Sequence, residues 1–286
     1  MTAEPRERPV GRAGSRAQSP VGEMLRAWRE RRRLTQLDLS LQAEVSARHL
    51  SFIETGRSRP TSEMILRLSE QLDVPLRERN ELLLAGGYAP AYPHHGLDDP
   101  SLDAVRRALR QVMAGHEPHP AVVVDHRWRL VDANSGLRFF TADVDPELLR
   151  PPVNVLRLSL HPDGMAPRIV NLGEWRAHLL SRLARQAAQT ADRYLASLHE
   201  ELTEYPGSDR AVDPVPEPHD VVVPLRYRHD DRELSFLSLT SVFGTPLDVT
   251  VSELAIEAFY PADADTASFL RDAPGLTSQL FPTGDR

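Results

Sequence analysis

With no cysteine anywhere in the chain, the residues left to do chemistry are histidine, the carboxylates and arginine. Disulfides, thiolate nucleophiles and cysteine-ligated zinc are thereby removed. Histidines are densest at His94-His95 and in the segment His116-Glu117-Pro118-His119. A helical zinc site of the HExxH type spaces its histidines four apart; here the spacing is three, and Pro118 opposes the helix that would align them. They are expected to be loop histidines. No GxxxxGK[ST], GxGxxG or GxSxG segment occurs, so phosphate-loop, dinucleotide and nucleophile-elbow chemistry have no support. Glu253 and Glu257 share a segment without an identifiable partner and are expected on solvated faces. No enzyme activity, resident metal or cofactor is expected.

Arginine points elsewhere. All 34 basic residues are arginine, with 15 of them against 12 acidic residues over 1–90 and 19 against 29 over 91–286. The balance is +3 in front and −10 behind, which suits a nucleic-acid module joined to something else. GC-rich codon usage accounts for the preference over lysine; either way, phosphate contacts must come from guanidinium groups. Two such groups, Arg48 and Arg57, fall within one short stretch whose other outward positions are Ala47, Ser51 and Phe52. A short helix with this polar, arginine-bearing face suits insertion into a DNA major groove.

The elements that must position that face are legible from residue 21 to residue 87. Val21 to Arg33 has an amphipathic pattern, with Met24, Leu25, Trp28 and Leu34 at helical spacing and Arg26, Arg29 and the run Arg31-Arg32-Arg33 on the other faces. That run is either a solvated face or a phosphate contact. Thr35 and Asp38 form a capping-box pair for a helix that buries Leu39 and Ala43. The chain turns at Glu44-Val45, Ser46 caps the next helix, and Leu50 and Ile53 point inward. Gly56 stands where a left-handed residue ends a helix at least cost. Thr61 or Ser62 opens a further helix with Ile65, Leu68 and Leu72, stopped at Val74-Pro75, and a last one runs to Gly86-Gly87. The result is an all-α five-helix bundle with a core of Leu25, Trp28, Leu39, Leu50, Ile53, Leu68, Leu72 and Leu83.

Residues 21–87 resemble the phage-repressor-like helix-turn-helix domain of the Xre family, through Thr35-Gln36, Leu39-Ser40, Val45-Ser46, Leu50, Ile53-Glu54, Gly56-Arg57, Pro60 and the Leu68…Leu72 repeat. The resemblance implies that Gln36 contacts backbone or a base edge, that Ala47, Arg48, Ser51 and Phe52 face base edges, and that Ser46 and Arg57 touch phosphates. Glu44 departs from the pattern, which has glycine in that turn. The phrase LLLAGGYAPAY, residues 82–92, is similar to the junction in an actinobacterial subgroup with a C-terminal MmyB-like ligand-binding domain.

Behind a proline-rich linker at 90–100, a helix from Ser101 carries Leu102, Val105, Leu109 and Val112 on one stripe. Two β-rich runs around His126-Arg127 follow, then a short helix capped by Asn134. Residues Asp145–Leu158 are expected to be helical, as are Leu172–Tyr205 with an interruption near Ala188-Gln189-Thr190, before a loop at 205–220. Three more β-rich runs, two of them joined in a hairpin by HDD, precede a final helix; Pro224 puts the first run at an edge or bulge. Five strands with interspersed helices make an α+β domain, which the resemblance identifies as PAS-like. Any one of Trp128, Phe139, Phe140, Trp175, Tyr194 and Phe236 reads as plain core. The resemblance implies that some line an apolar pocket for a small hydrophobic, fatty-acyl-like ligand.

The expected organisation is a disordered tail (1–20), a helix-turn-helix domain (21–89), a linker (90–100), a PAS-like ligand-binding domain (101–272) and a tail (273–286). The expected function is a ligand-controlled transcription regulator that binds operator DNA as a homodimer. The alternatives are a back half that only dimerises and recruits a partner, or a tethered enzyme. With no apolar run near the ~20 residues that span a bilayer and no signal-peptide core at the N-terminus, no membrane association and a cytoplasmic location are expected.

Overall fold

The computed structural model describes residues 20–206 and 222–272. The chain forms two compact units, Met1–Ala91 and Tyr92–Arg286. The expected tail at 273–286 and most of the loop at 205–220 lie outside the described residues, as does the N-terminal tail apart from Pro20, which opens the first helix.

In the first unit, α1 (Pro20–Arg31), α2 (Gln36–Gln42), α3 (Ala47–Glu54), α4 (Ser62–Gln71) and α5 (Leu76–Ala85) form the bundle. Local chemistry sets the boundaries. Thr35 Oγ1 accepts from Asp38 N at 3.1 Å while Asp38 Oδ2 accepts from Thr35 N at 2.9 Å, closing the capping box. Ser46 caps α3 through His49 N, and Thr61 rather than Ser62 caps α4 through Met64 N. All eight expected core residues are buried. Gly22 is needed for close approach, because a Cβ there would run into the Ile53 carbonyl.

Arginine placement differs from expectation. Arg29 is not on an outer face: it is buried against Glu54, with Nε 2.7 Å from Oε1 and Nη2 2.9 Å from Oε2. Arg32 donates to Leu72 O and Asp73 O, where the carbonyls at the end of α4 lack helical partners. Arg31 lies over the Trp28 ring, and Arg33 takes a left-handed φ of 56° just beyond α1.

The second unit begins with the expected linker. Residues around Pro93 and His95 are tied down there: Pro93 O accepts from Val249 N at 2.9 Å and His95 Nδ1 lies 2.8 Å from Asp248 Oδ2. Helix α6 (Asp103–Gly115) buries Leu109 and Met113, while Val112 is 52 % exposed. The buried stripe therefore passes through Met113, four residues on from Leu109, and not Val112. Then come β1 (Ala121–Val124), β2 (Leu130–Ala133), α7 (Arg138–Thr141), α8 (Val155–Leu160), α9 (Leu172–Thr190), α10 (Arg193–Glu204), β3 (Leu225–His229), β4 (Arg232–Val242), α11 (Val249–Ser252), β5 (Ala255–Pro261) and α12 (Ala264–Asp272).

The five strands form one antiparallel sheet in the order β2-β1-β5-β4-β3. β3 is an edge strand entered from Pro224, as the missing N–H requires. Alternation splits β1 between two cores: Val122 and Val124 join the main core with α7–α10, while Ala121 and Val123 pack with Leu109 and Met113 of α6. This α+β architecture is PAS-like.

Two local expectations are corrected and a third is placed to the residue. Asn134 does not cap the following helix; its side chain accepts from Ala121 N at 2.9 Å and donates to His119 O at 2.8 Å. Asp145–Leu158 is not one helix but a 3₁₀ turn over Pro146–Leu149 and then α8, because Pro151-Pro152 supply no N–H groups; Asn154 caps α8 through Leu156 N and Arg157 N. The interruption in 172–205 falls at Ala191, left-handed at φ 56°, after which Asp192 caps α10.

Glu44 adopts φ 54° in the turn between α2 and α3. A side chain there opposes the left-handed conformation by about 1–2 kcal/mol, offset by glycine's greater unfolded-state entropy. Glu44→Gly is expected to stabilise the first unit by about 0.5–1 kcal/mol, read as a higher denaturant midpoint at unchanged slope.

Candidate DNA-binding face and ligand cavity

Helix α3 is only eight residues long, so its orientation must come from its neighbours. Leu50 and Ile53 anchor it in the core, and Glu54 fixes it with charge. The Glu54 side chain is 1 % exposed. It is met by the Arg29 fork from α1 and by Gln36 Nε2 from α2 at 2.7 Å. Arg29 Nη1 also reaches Leu34 O at 2.8 Å. One carboxylate thus sets three helices in a fixed relation. Sequence reasoning took Ile53-Glu54 only as part of a motif; the available signal was Glu54 falling four residues after Leu50 on the buried stripe.

That frame leaves Arg48 exposed and Ala47, Ser51 and Phe52 half-buried on the far side of α3, with Ser46 and Arg57 exposed at its two ends. Gln36 lies at the start of α2, its amide nitrogen engaged by Glu54. The structure therefore brings Arg48, Phe52 and Arg57 together: both guanidiniums lie over the Phe52 ring, at 5.4 and 5.9 Å. Leu37 and Leu41 are exposed on α2.

In the second unit a cavity of about 60 Å³ lies between α9 and the inner face of the sheet. Trp128, Phe140, Trp175, Leu179 and Phe259 contribute its apolar walls, and Ser159, His178, Arg182, Ser238 and Glu257 its polar ones. Of the six aromatics singled out, Trp128, Phe140 and Trp175 are on these walls. Phe139 and Phe236 lie instead in a ring cluster with Phe140 and Tyr227. Tyr194 lies under Arg127 and Arg129, with its hydroxyl near Asn154.

The expected solvated carboxylates are both engaged. Glu257 is 4 % exposed; the Arg182 nitrogens lie 2.5 and 3.1 Å from its two oxygens, and Thr240 and Ser238 add hydroxyl donors at 2.9 and 3.3 Å. Alternation along β5 turns Glu257 inward with Phe259, a placement that residue type conceals. Glu253 Oε2 lies 2.9 Å from His126 Nδ1.

Trp128 has a left-handed φ of 63°, unusual for so bulky a residue. It is held there from α9: its indole Nε1 donates to Gln186 Oε1 at 2.8 Å, and the Arg182 guanidinium lies 4.5 Å over its ring. Gln186 Nε2 in turn donates to His126 O at 2.8 Å. Trp175 Nε1 donates to Ser159 Oγ at 3.0 Å, and His178 stacks on the Trp175 ring. Burial, followed by the charges of Arg182 and Arg185, holds the His178 imidazole below its ordinary range. His116 and His119 are also held low, chiefly by burial, and their rings are 5.5 Å apart. Among the described residues no three histidine or carboxylate groups are placed to hold a metal ion.

Two outcomes follow for stability. Glu257→Ala leaves Arg182 without its partner; the fully buried case costs about 3–5 kcal/mol, and because Arg182 keeps 27 % exposure a loss of about 2–3 kcal/mol is expected in chemical denaturation. The lowered pKa values of His116, His119 and His178 mean that the unfolded chain binds protons more readily. Stability is therefore lost as pH falls through the unfolded value of about 6.5, and the loss levels off below the folded pKa. Asp192, held low by Arg127 against the opposing effect of burial, and Glu201, held low by Arg157, give way only further into acid. The melting temperature should fall between about pH 7.5 and 5.5, and His178→Gln should flatten part of that fall.

Comparison with known proteins accords with both halves. The family model for the MmyB-like transcription regulator ligand binding domain matches residues 105–273, more than half the chain, and a helix-turn-helix model matches residues 25–79. Among curated proteins none matches. No helix among the described residues is long and apolar enough to cross a membrane. With a DNA-binding bundle in front and this ligand-binding domain behind it, the chain belongs to the MmyB-like helix-turn-helix transcription regulators.

Proposed function

We propose that this DNA-binding transcription regulator acts in the cytoplasm as a homodimer of the Xre type, and that a small hydrophobic ligand of fatty-acyl character controls it. The observation that carries the DNA reading is the outward face of α3, locked by Glu54 to α1 and α2. A helix held this rigidly keeps its side chains in register with base edges. Ala47, Arg48, Ser51 and Phe52 face the groove, Ser46 and Arg57 flank it at the phosphates, and the remaining amide group of Gln36 reaches backbone or a base edge. Two copies place these helices about 34 Å apart, one turn of DNA.

The ligand reading is supported by an apolar cavity with a short polar rim, the usual composition of small-molecule sites. Its volume of about 60 Å³ is well below the roughly 300–1,000 Å³ such sites offer, so binding requires the walls to part. The ligand then alters DNA affinity only through a difference in its affinity for two conformations. The same small volume favours a second reading, in which this domain dimerises and recruits a partner. A series of straight-chain fatty acids separates them: a chain-length-dependent rise in melting temperature supports ligand control, and no shift at any length supports the second.

Arg48→Ala is expected to cost about 1–3 kcal/mol and to relax preference at one base position, measured by selection from a randomised duplex pool. Arg57→Ala should weaken all sequences alike and shallow the salt dependence by about one unit. Uniform loss for Arg48→Ala would make it a phosphate contact instead.

A further inference from the structure

Phe52 is half-buried on α3, and two cations share its ring. Arg48 lies one helical turn earlier, with Cζ 5.4 Å from the ring centroid. Arg57 comes from the loop beyond the helix, at 5.9 Å. The loop returns because α3 ends in a Schellman turn: Gly56, at φ 70°, donates to Ile53 O at 3.1 Å, and Arg57 N donates to Phe52 O at 2.8 Å. Ser58 N donates to the same carbonyl at 3.0 Å. In this turn the residue that takes the far carbonyl commonly packs an apolar side chain against the residue supplying it. Here a guanidinium lies over the ring in its place. Backbone and ring of Phe52 together bring Arg57 to the side already occupied by Arg48.

Two guanidiniums left to themselves repel and disperse over many rotamers. The negative face of a phenyl ring opposes that dispersal, each contact at an exposed site favouring the bound arrangement by a factor of about two to five. Phenylalanine itself can offer DNA only apolar contact, as with a thymine methyl. We infer that Phe52 is a positioning residue: its ring holds Arg48 and Arg57 as an ordered pair of cations for the DNA phosphodiester backbone and the adjoining base edge, and does not itself read sequence. The inference rests on the reading of α3 as the helix that contacts DNA.

The test uses the full-length protein and a duplex recovered by it from a randomised pool, titrated by fluorescence anisotropy at several salt concentrations. Phe52→Leu, or Phe52→Met should the first variant fold poorly, keeps apolar bulk but removes the ring. Affinity should fall about ten-fold with the slope against salt unchanged, because no charge is lost. Phe52→Tyr and Phe52→Trp should restore binding. Phe52→Leu combined with Arg57→Ala should lose less than the product of the two single losses, since the ring then has one cation fewer to hold. Wild-type affinity in Phe52→Leu would overturn the inference, as would a loss confined to duplexes carrying thymine at one position, which marks direct reading. Binding untouched by Arg48→Ala and Arg57→Ala would remove the DNA-contact reading and the inference with it. Losses in those two variants beside a neutral Phe52→Leu would remove the inference alone.

Discussion

A carboxylate withdrawn from water must be matched by donors on every side, and each unit of this protein places one such group at its candidate site. Glu54 is matched by Arg29 and Gln36, Glu257 by Arg182, Thr240 and Ser238. Apolar contacts could fill either space, and a buried ion pair is weak evidence for stability, because desolvation offsets most of its Coulombic gain. What such a pair imposes is geometry. The fork of Arg29 accepts one orientation of Glu54, so α3 cannot rotate on the core without breaking paired bonds. A core of Leu39, Leu50 and Leu68 alone would tolerate sliding at far lower cost. The orientation of α3 is therefore set by charge, and its burial by leucine.

The same logic applies where the backbone is driven into a disfavoured region. Trp128 keeps φ 63° because both polar and apolar parts of its ring are held from α9, by Gln186 and Arg182. Strained positions persist only where the surroundings over-determine them. Here those surroundings are the polar side of the cavity itself. Glu44 differs: its strain lies in a turn whose conformation the caps on either side already dictate, Ala43 ending α2 and Ser46 opening α3.

Features governed by neighbours in sequence were legible in it. The capping box at Thr35, the cap at Ser46, the one at Thr61 or Ser62, the left-handed Gly56, the hairpin at Asp230-Asp231 and the eight core residues of the bundle all follow from spacings of a few residues. What escaped depends on partners far along the chain. Arg29 and Glu54 are 25 residues apart, Arg182 and Glu257 75, and nothing local distinguishes a buried guanidinium from a solvated one. Asn134 has the residue type of a cap, yet the open backbone groups of Ala121 and His119 claim its side chain. For the aromatics, sequence ranks all six alike as large and apolar. Only the fold separates Trp128 and Phe140, which line a gap together with Trp175 of α9, from Phe139 and Phe236, which face other rings.

That gap is bounded unequally, and the inequality decides which of its walls can move without loss of backbone hydrogen bonds. On one side β1 and β5, and β5 and β4, are joined by ladders along their length, so parting them would break many hydrogen bonds at once. On the other side α9 faces the cavity through Trp175, His178, Leu179 and Arg182, and α8 through Val155, Leu156, Leu158 and Ser159. Arg182, Gln186 and Trp175 supply the polar contacts of α9 there, all of them made by side chains. A helix keeps its own backbone bonds when it shifts, whereas a strand does not. A shift of α9 would therefore first exchange the Arg182–Glu257 pair and the Trp128–Gln186 bond.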